Sequence, residues 1–198
     1  MNPPTRTRAP ADRRDQLLAA AEELFREKSV DATTVADITE RAGVAKGTFY
    51  LYFDSKDQLI AGLRERVVNG MLELAAGSFA RIGTTDYWQL ADEIVATIID
   101  YTLEHREAVR AVLHSGIGPE SVDFMHQCNQ RMIDMLEAGI RAGIDAGVFA
   151  VGDPRVTAEL LNFACEGTVH DRLLQPGQVD RDQLVAGTQA FVRKVLAP

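Results

Sequence analysis

The chain has 198 residues, of which 46% are hydrophobic and 25% charged, the balance of a globular protein long enough to bury a substantial core. No apolar run approaches the roughly 18 uninterrupted residues of a membrane span, so the composition argues against a membrane protein and favours a cytoplasmic location. The two cysteines, Cys128 and Cys165, lack the spacing of a metal site, and we expect free thiols and no bound metal.

The net charge of −8 is unevenly distributed along the chain. Residues 1–66 contain 11 basic and 11 acidic side chains, whereas residues 67–198 contain 10 and 18. The first part is therefore neutral overall, and the acidity of the whole chain does not argue against a nucleic-acid partner for it. Residues 1–10 hold three prolines and two arginines without apolar periodicity, which predicts a flexible basic arm, either a disordered tail or a segment that approaches DNA.

A helix is predicted over about residues 11–28, and the stretch after it, residues 33–56, is the one around which the chain is organised. Thr34 followed three residues later by Asp37 is a helix-start signature, because the threonine hydroxyl can bind a free backbone amide of the first turn. Gly43 can adopt the left-handed conformation that ends a helix. A helix, a short turn with glycine and a second helix form a helix-turn-helix, whose second helix normally enters the DNA major groove.

The second helix of this motif is predicted from about Ala45 to Tyr52, and its side chains suit a DNA surface. They include a cation, a hydroxyl and two phenols, and no acidic residue lies between Gly43 and Phe53. Ser55 and Gln58 predict a capping box at the start of the next helix, with the Lys56 amine free to reach a phosphate. The predicted DNA-binding residues are Thr33, Thr34, Ala45, Lys46, Gly47, Thr48, Tyr50, Leu51, Tyr52 and Lys56.

Residues 42–60, AGVAKGTFYLYFDSKDQLI, resemble the signature of the tetracycline-repressor (TetR) family of bacterial regulators, and the close resemblance extends over about residues 13–62. It implies an all-α fold, in which a three-helix DNA-binding head precedes a larger helical domain that binds an effector and dimerises. It also implies a repressor that a small molecule releases from a palindromic operator. Two positions depart from the family pattern: Ala45 lacks a frequent hydroxyl, and Leu51 replaces a frequent polar residue, although leucine can touch a thymine methyl.

Helical patterns also fill the rest of the chain. A helix from Ser55 to about Phe79 spans roughly 36 Å, so it can start in the head, end in the second domain and transmit movement between them. Five more helices bring the expected total to about nine. The first of these covers about residues 86–104, a shorter helix then ends at about residue 115, and a long helix ends before Gly147. The last two cover about residues 154–174 and the residues from 181 onwards. The predicted divisions are a basic arm (1–10), a helix-turn-helix domain (11–56) and an effector-binding and dimerisation domain (57–198).

The second domain has side chains for two further surfaces. The last two helices are predicted to form a homodimer seam, because small residues on them allow close helix packing. Its aromatic and sulfur side chains exceed what one seam needs, which predicts a pocket for a small-molecule effector, although each residue singly also suits a plain core. The predicted dimer residues are Leu160, Ala164, Gly167, Leu184, Thr188 and Phe191, and the predicted pocket residues are Trp88, Tyr101, Phe124, Met125, Cys128, Met132 and Phe163.

The chemistry of the effector stays open between two classes. If acidic side chains on the central helices face inward, they favour a cationic or hydrogen-bond-donating ligand; if they face solvent, an apolar or neutral ligand is favoured. These acidic residues are Asp92, Glu93, Asp100, Asp134 and Glu137.

Two other classes of protein are alternatives to a regulator: a helical enzyme, and a protein-interaction module with a degenerate DNA-binding head. The four histidines lie on separate predicted helices, and no HExxH, GxSxG, P-loop or GxGxxG motif occurs, so we expect neither an enzyme nor a cofactor. The full set of polar groups on the helix-turn-helix argues against a degenerate head. Sequence-specific duplex binding separates a regulator from both alternatives.

Overall fold

The structure of the chain, a computed structural model, describes residues 10–115, 119–175, 177 and 179–198. Within these residues all regular secondary structure is helical, as predicted. None of the described helices combines the length and the apolar character needed to cross a bilayer. Residues 1–9, most of the predicted basic arm, lie outside the described residues. The helices are α1 (Pro10–Lys28), α2 (Val35–Arg41), α3 (Lys46–Phe49), α4 (Lys56–Phe79), α5 (Tyr87–Glu104), α6 (Arg106–Ser115), α7 (Pro119–Asp145), α8 (Pro154–Leu174) and α9 (Arg181–Leu196).

The chain divides into two compact units, and the division does not coincide with the boundary expected at residue 56. The first unit contains the chain up to Arg66 together with most of α6, and the second unit contains the remainder. The first unit includes the start of α4 because Leu59, Ile60 and Leu63 there are buried core residues. A boundary drawn from the end of a sequence motif misses this, since the core of the head extends beyond the motif.

Helix starts and ends follow the capping residues that the sequence predicts. The Asp153 side chain accepts hydrogen bonds from the amides of Arg155 and Val156, with proline at the first helical position of α8. Asp180 accepts from the Gln183 amide at the start of α9. Gly147, just after α7, has a φ of 73°, which a residue with a side chain rarely adopts.

The second unit is built by packing α7 against α8 and α5 against α9. One apolar cluster is centred on Ile133, Ile140, Phe149 and Leu161. A second cluster is formed by Leu72 and Ala75 of α4 with Cys128 and Met132 of α7. The two clusters give the second unit its own core.

Candidate nucleic-acid interface

Local contacts define the start of α2 and the turn that joins α2 to α3. The Thr34 hydroxyl accepts a hydrogen bond from the Asp37 amide (3.2 Å), and the Asp37 carboxylate accepts one from the Thr34 amide (2.8 Å). This reciprocal pair is the capping box that the sequence predicts. Gly43 follows α2 with a φ of 65°, and the Val44 amide then donates to the carbonyl of Thr39 (3.0 Å). The helix-turn-helix is therefore confirmed, and local hydrogen bonds define its shape.

Two buried phenylalanines anchor α3 and the turn after it in the core of the first unit. Phe49 has no exposed surface and Phe53 only 2%, and their ring centroids are 5.6 Å apart. The amides of Tyr52 and Phe53 both donate to the Phe49 carbonyl at 3.0 Å, so the chain tightens into a turn after Phe49. The second helix is for this reason shorter than predicted, Lys46–Phe49 instead of Ala45–Tyr52.

An exposed surface lies on the opposite side of α3 and its following turn. Tyr50 is 51% and Leu51 79% exposed, whereas Thr48 and Tyr52 are half-buried. A side chain added at Gly47 would meet nothing within 4 Å, so the backbone there is open to a large partner. The exposed residues are Ala45, Lys46, Gly47, Tyr50 and Leu51.

Two of the residues predicted to contact DNA have polar groups that are engaged inside the first unit. Thr33 is 1% exposed, and its hydroxyl donates to the carbonyl of Ser29 (2.7 Å). The Lys56 ammonium donates to the carbonyls of Val30 (3.0 Å) and Thr33 (3.2 Å), so two of its three donors are engaged within the first unit, whereas the sequence predicted a free amine. Both polar groups serve the connection between α1 and α2, whose carbonyls need donors. Thr34 is exposed, but its hydroxyl is already engaged with Asp37 (2.7 Å).

Ion pairs join side chains of α1 to side chains of α2 within the first unit. Lys28 Nζ lies 2.8 Å from the Asp37 carboxylate, and this contact, together with the hydrogen bonds from Thr34, keeps the pKa of Asp37 well below its usual value. Arg41 pairs with Glu27 (2.6 Å) and Glu23, and the hydrogen bonds to these carboxylates raise the pKa of the Arg41 guanidinium. Sequence reasoning missed these positioning residues, because the partners lie on different helices and no local pattern marks them.

Comparison with known proteins agrees with this geometry. Residues 17–63 match the family described as bacterial regulatory proteins, tetR family. Over 145 residues the chain is 30% identical to the HTH-type transcriptional repressor KstR2 of Mycolicibacterium smegmatis, and the alignment covers 68% of each chain. The chain belongs to the TetR family. It is therefore a helix-turn-helix transcriptional regulator that binds DNA, as the resemblance of residues 42–60 implied.

One further sequence relative and one solved structure extend the comparison of this TetR-family chain. The uncharacterized HTH-type transcriptional regulator YvdT of Bacillus subtilis is 33% identical over 103 residues, which is 52% of each chain, so the match spans about half of that relative. The SmeT–triclosan complex has a TM-score of 0.69 at 21% identity and covers 94% of this chain and 92% of SmeT. SmeT is the repressor of the multidrug efflux pump SmeDEF of Stenotrophomonas maltophilia. At this identity the likeness to SmeT establishes a shared fold.

The structure brings together only part of the predicted effector pocket. Phe124, Cys128 and Met132 belong to the apolar cluster with Leu72 and Ala75. Tyr101 lies against α4 at Gly70, where an added side chain would collide with its phenol oxygen. Met125 is half-buried.

Trp88 and Phe163 do not join that cluster. Trp88 packs edge-on against Phe149 with ring centroids 4.8 Å apart, in the other apolar cluster. Phe163 is 53% exposed on α8, so its prediction as a pocket residue is wrong. The helical pattern marked these residues as apolar, but it did not show which face of the unit each one joins.

The predicted dimer residues lie on or beside an apolar surface of α8 and α9. Leu160 is 65% and Phe191 43% exposed, and Ala164 and Gly167 are exposed beside them. Thr188 is half-buried, and Leu184 is already buried within the single chain at 9% exposure. A groove of about 610 Å³ between the two helices is lined by Ala164, Leu184, Thr188 and Phe191, among others.

Proposed function

We propose that this TetR-family regulator is a homodimeric repressor, which a small apolar effector releases from a palindromic operator. The observation that carries the proposal is the pairing of two open surfaces in one chain, the helix-turn-helix surface and the apolar α8–α9 face. KstR2 and SmeT, both repressors, support the direction of regulation.

The DNA contacts proposed for the helix-turn-helix follow from the exposure of its side chains. Lys46 is exposed and contacts a phosphate, while the open backbone at Gly47 allows close approach to the duplex. Tyr50 and Thr48 lie at the groove, and Tyr52 contacts the backbone from the edge of the surface. A phosphate contact strengthens binding to every sequence, whereas groups that meet base edges give specificity.

The homodimer is proposed to form through α8 and α9. Leu160, Phe163 and Phe191 are each more than two-fifths exposed, which is costly for a single chain in water and favours burial against a second copy. Gly167 lies on α8, and a Cβ atom added there would meet nothing within 4 Å, so a partner helix can approach closely at this position. A two-fold pair of α8–α9 units makes a four-helix bundle and places two identical heads on a two-fold symmetric DNA site.

The effector is proposed to enter the cluster around Cys128 and Met132 and to be apolar and uncharged. Three methionines, Met71, Met132 and Met135, belong to or border this cluster, and flexible methionine side chains adapt to ligands of different shape. The five acidic residues that would favour a cationic effector, if they faced inward, each form an ion pair with an arginine. The pairs are Asp92–Arg193, Glu93–Arg81, Asp100–Arg181, Asp134–Arg155 and Glu137–Arg155.

Helix α4 is the proposed link between effector and DNA. It is one continuous helix of 24 residues that contributes Leu59 and Leu63 to the core of the first unit and Leu72 and Ala75 to the cluster. Release requires that the effector binds the DNA-free conformation more tightly than the bound one. A preference of about 100-fold supplies roughly 2.7 kcal/mol per site at 25 °C.

The proposal is tested by selecting duplexes from a random pool with the purified protein. We expect a palindromic sequence to be enriched, a reporter gene behind it to be repressed in cells, and an apolar probe such as triclosan or a related phenol to weaken binding. Enrichment without symmetry would contradict the dimer, activation of the reporter would contradict the direction of regulation, and release by organic cations alone would contradict the apolar effector.

A further inference from the structure

We infer that Leu51 recognises the 5-methyl group of a thymine, and so fixes a T·A pair at one position of each operator half-site. This inference rests on the proposed function, since it presupposes specific binding to duplex DNA. It adds the chemistry by which one side chain of the surface selects a base.

The first step is the exposure of Leu51, which the fold imposes. At 79% exposed, Leu51 is the most exposed large hydrophobic side chain in the part of the chain that the structure describes. Its amide donates to the Thr48 carbonyl (3.2 Å), and the residues on either side of this turn, Phe49 and Phe53, are both buried. The backbone at Leu51 is therefore held, and its side chain cannot turn into the core.

The second step concerns the groups around Leu51. The hydroxyls of Thr33 and Thr34 and the ammonium of Lys56 are all engaged within the first unit. Among the exposed neighbours, Lys46 and Gly47 are polar or small and Tyr50 ends in a hydroxyl, so Leu51 is not part of a wide apolar patch of the kind that binds another protein.

The third step is the chemistry of the major groove. Thymine presents a methyl group there, whereas the other three bases present hydrogen-bond donors and acceptors without an apolar group. A leucine placed over a polar base edge removes water from it and returns no hydrogen bond, which is unfavourable. A leucine placed over the thymine methyl buries apolar surface on both sides, so the geometry favours a T·A pair beneath Leu51.

The test replaces each thymine of the selected operator, one position at a time, by deoxyuridine, which removes only the methyl group. We expect one position per half-site to weaken binding about fourfold, and about 15-fold when both half-sites are changed, as for the loss of one buried methyl each. In Leu51→Ala this thymine-to-uracil ratio falls to one. Leu51→Met, which keeps an apolar side chain, retains it.

Leu74→Ala is the matched control, because Leu74 is a leucine of α4 that is 41% exposed. It should keep the full thymine-to-uracil ratio. Titrations at lower salt keep weakly binding variants measurable, because phosphate contacts are stronger there.

Two results would overturn the inference while leaving the proposed function intact. One is a wild-type operator in which no thymine can be distinguished from uracil, and the other is an unchanged ratio in Leu51→Ala. A wild-type protein that selects no duplex at all would overturn the proposed function, and this inference with it.

Discussion

The first unit carries its candidate DNA surface on one short segment, whereas the second unit is held together by contacts between helices far apart in the chain. The helix-turn-helix is closed by local contacts, such as the Thr34–Asp37 capping box. In the second unit, Asp100 of α5 pairs with Arg181 of α9, and Leu72 of α4 packs with Cys128 of α7. The comparison teaches that the sequence of a local motif predicts both its shape and its exposed face. The sequences of distant helices predict where each helix begins and ends, but not which helices pack together.

The largest expected effect concerns the independence of the two units, and it comes from Phe49→Ala. Phe49 is fully buried beneath α3, so its truncation should destabilise the first unit by about 3–5 kcal/mol and abolish DNA binding. The second unit has its own core, so we expect the dimer to survive, as measured by sedimentation. The control is Leu74→Ala, which shortens a 41% exposed side chain of α4 and should keep both DNA binding and the dimer. Loss of the dimer in Phe49→Ala would show that the two units do not fold separately.

The next effect tests the surface that the second unit builds without a local motif. A Cβ atom added at Gly167 meets nothing within 4 Å in the single chain, and the residue is exposed, so Gly167→Leu should leave each chain folded. Within a helix seam the same side chain separates the partners, and we expect monomers that bind the operator about 100-fold more weakly, or about 2.7 kcal/mol. Sedimentation and operator titration measure both outcomes.

Gly77→Leu is the matched control for this prediction, because Gly77 of α4 is also exposed and has nothing within 4 Å of an added Cβ atom. It should leave the dimer and operator binding unchanged. A Gly167→Leu protein that remains fully dimeric would place the seam elsewhere.

These two regions also show how far the sequence carries a prediction. The helices, the caps at Thr34, Asp153 and Asp180, and the exposed face of α3 follow from neighbours in the chain. The hydrogen bonds of Lys56 were missed because its partner carbonyl at Val30 lies 26 residues away. Phe163 was misassigned because periodicity identifies an apolar helix face, but it does not show whether that face is buried in the core or exposed on the surface. Contacts between distant segments decide such cases, and one sequence does not display them.

A smaller effect separates Lys46 from Lys56 within the first unit. Lys46 is exposed, so Lys46→Ala should reduce the slope of log affinity against log salt by about one unit per chain. Lys56 bonds two carbonyls, so Lys56→Ala should keep the slope and lower the free energy of unfolding by about 1 kcal/mol. Salt titrations and urea unfolding of both variants check this. A shallower slope in Lys56→Ala would mean that its amine leaves the carbonyls and reaches a phosphate.

The smallest effect is the pH dependence of the Asp37 capping contact. Because the Lys28 contact and the Thr34 hydrogen bonds lower the pKa of Asp37 in the folded state, its carboxylate stabilises the fold above the unfolded pKa near 3.8. That contribution is lost as the pH falls below 3.8 toward the lower, folded-state pKa. Wild type should therefore be more stable than Asp37→Asn at neutral pH, and the gap should close in acid. Urea unfolding at a series of pH values measures it, and a constant gap would contradict the assignment.

The central claim, that two heads joined through α8 and α9 read one symmetric site, is tested most directly by the mass of the protein–operator complex. Native mass spectrometry with the selected operator should show two chains on each full palindrome, and a single half-site should bind far more weakly. Gly167→Leu should lose the two-chain complex and Gly77→Leu should keep it. One chain bound per site, with equal affinity for the half-site and the palindrome, would contradict the account.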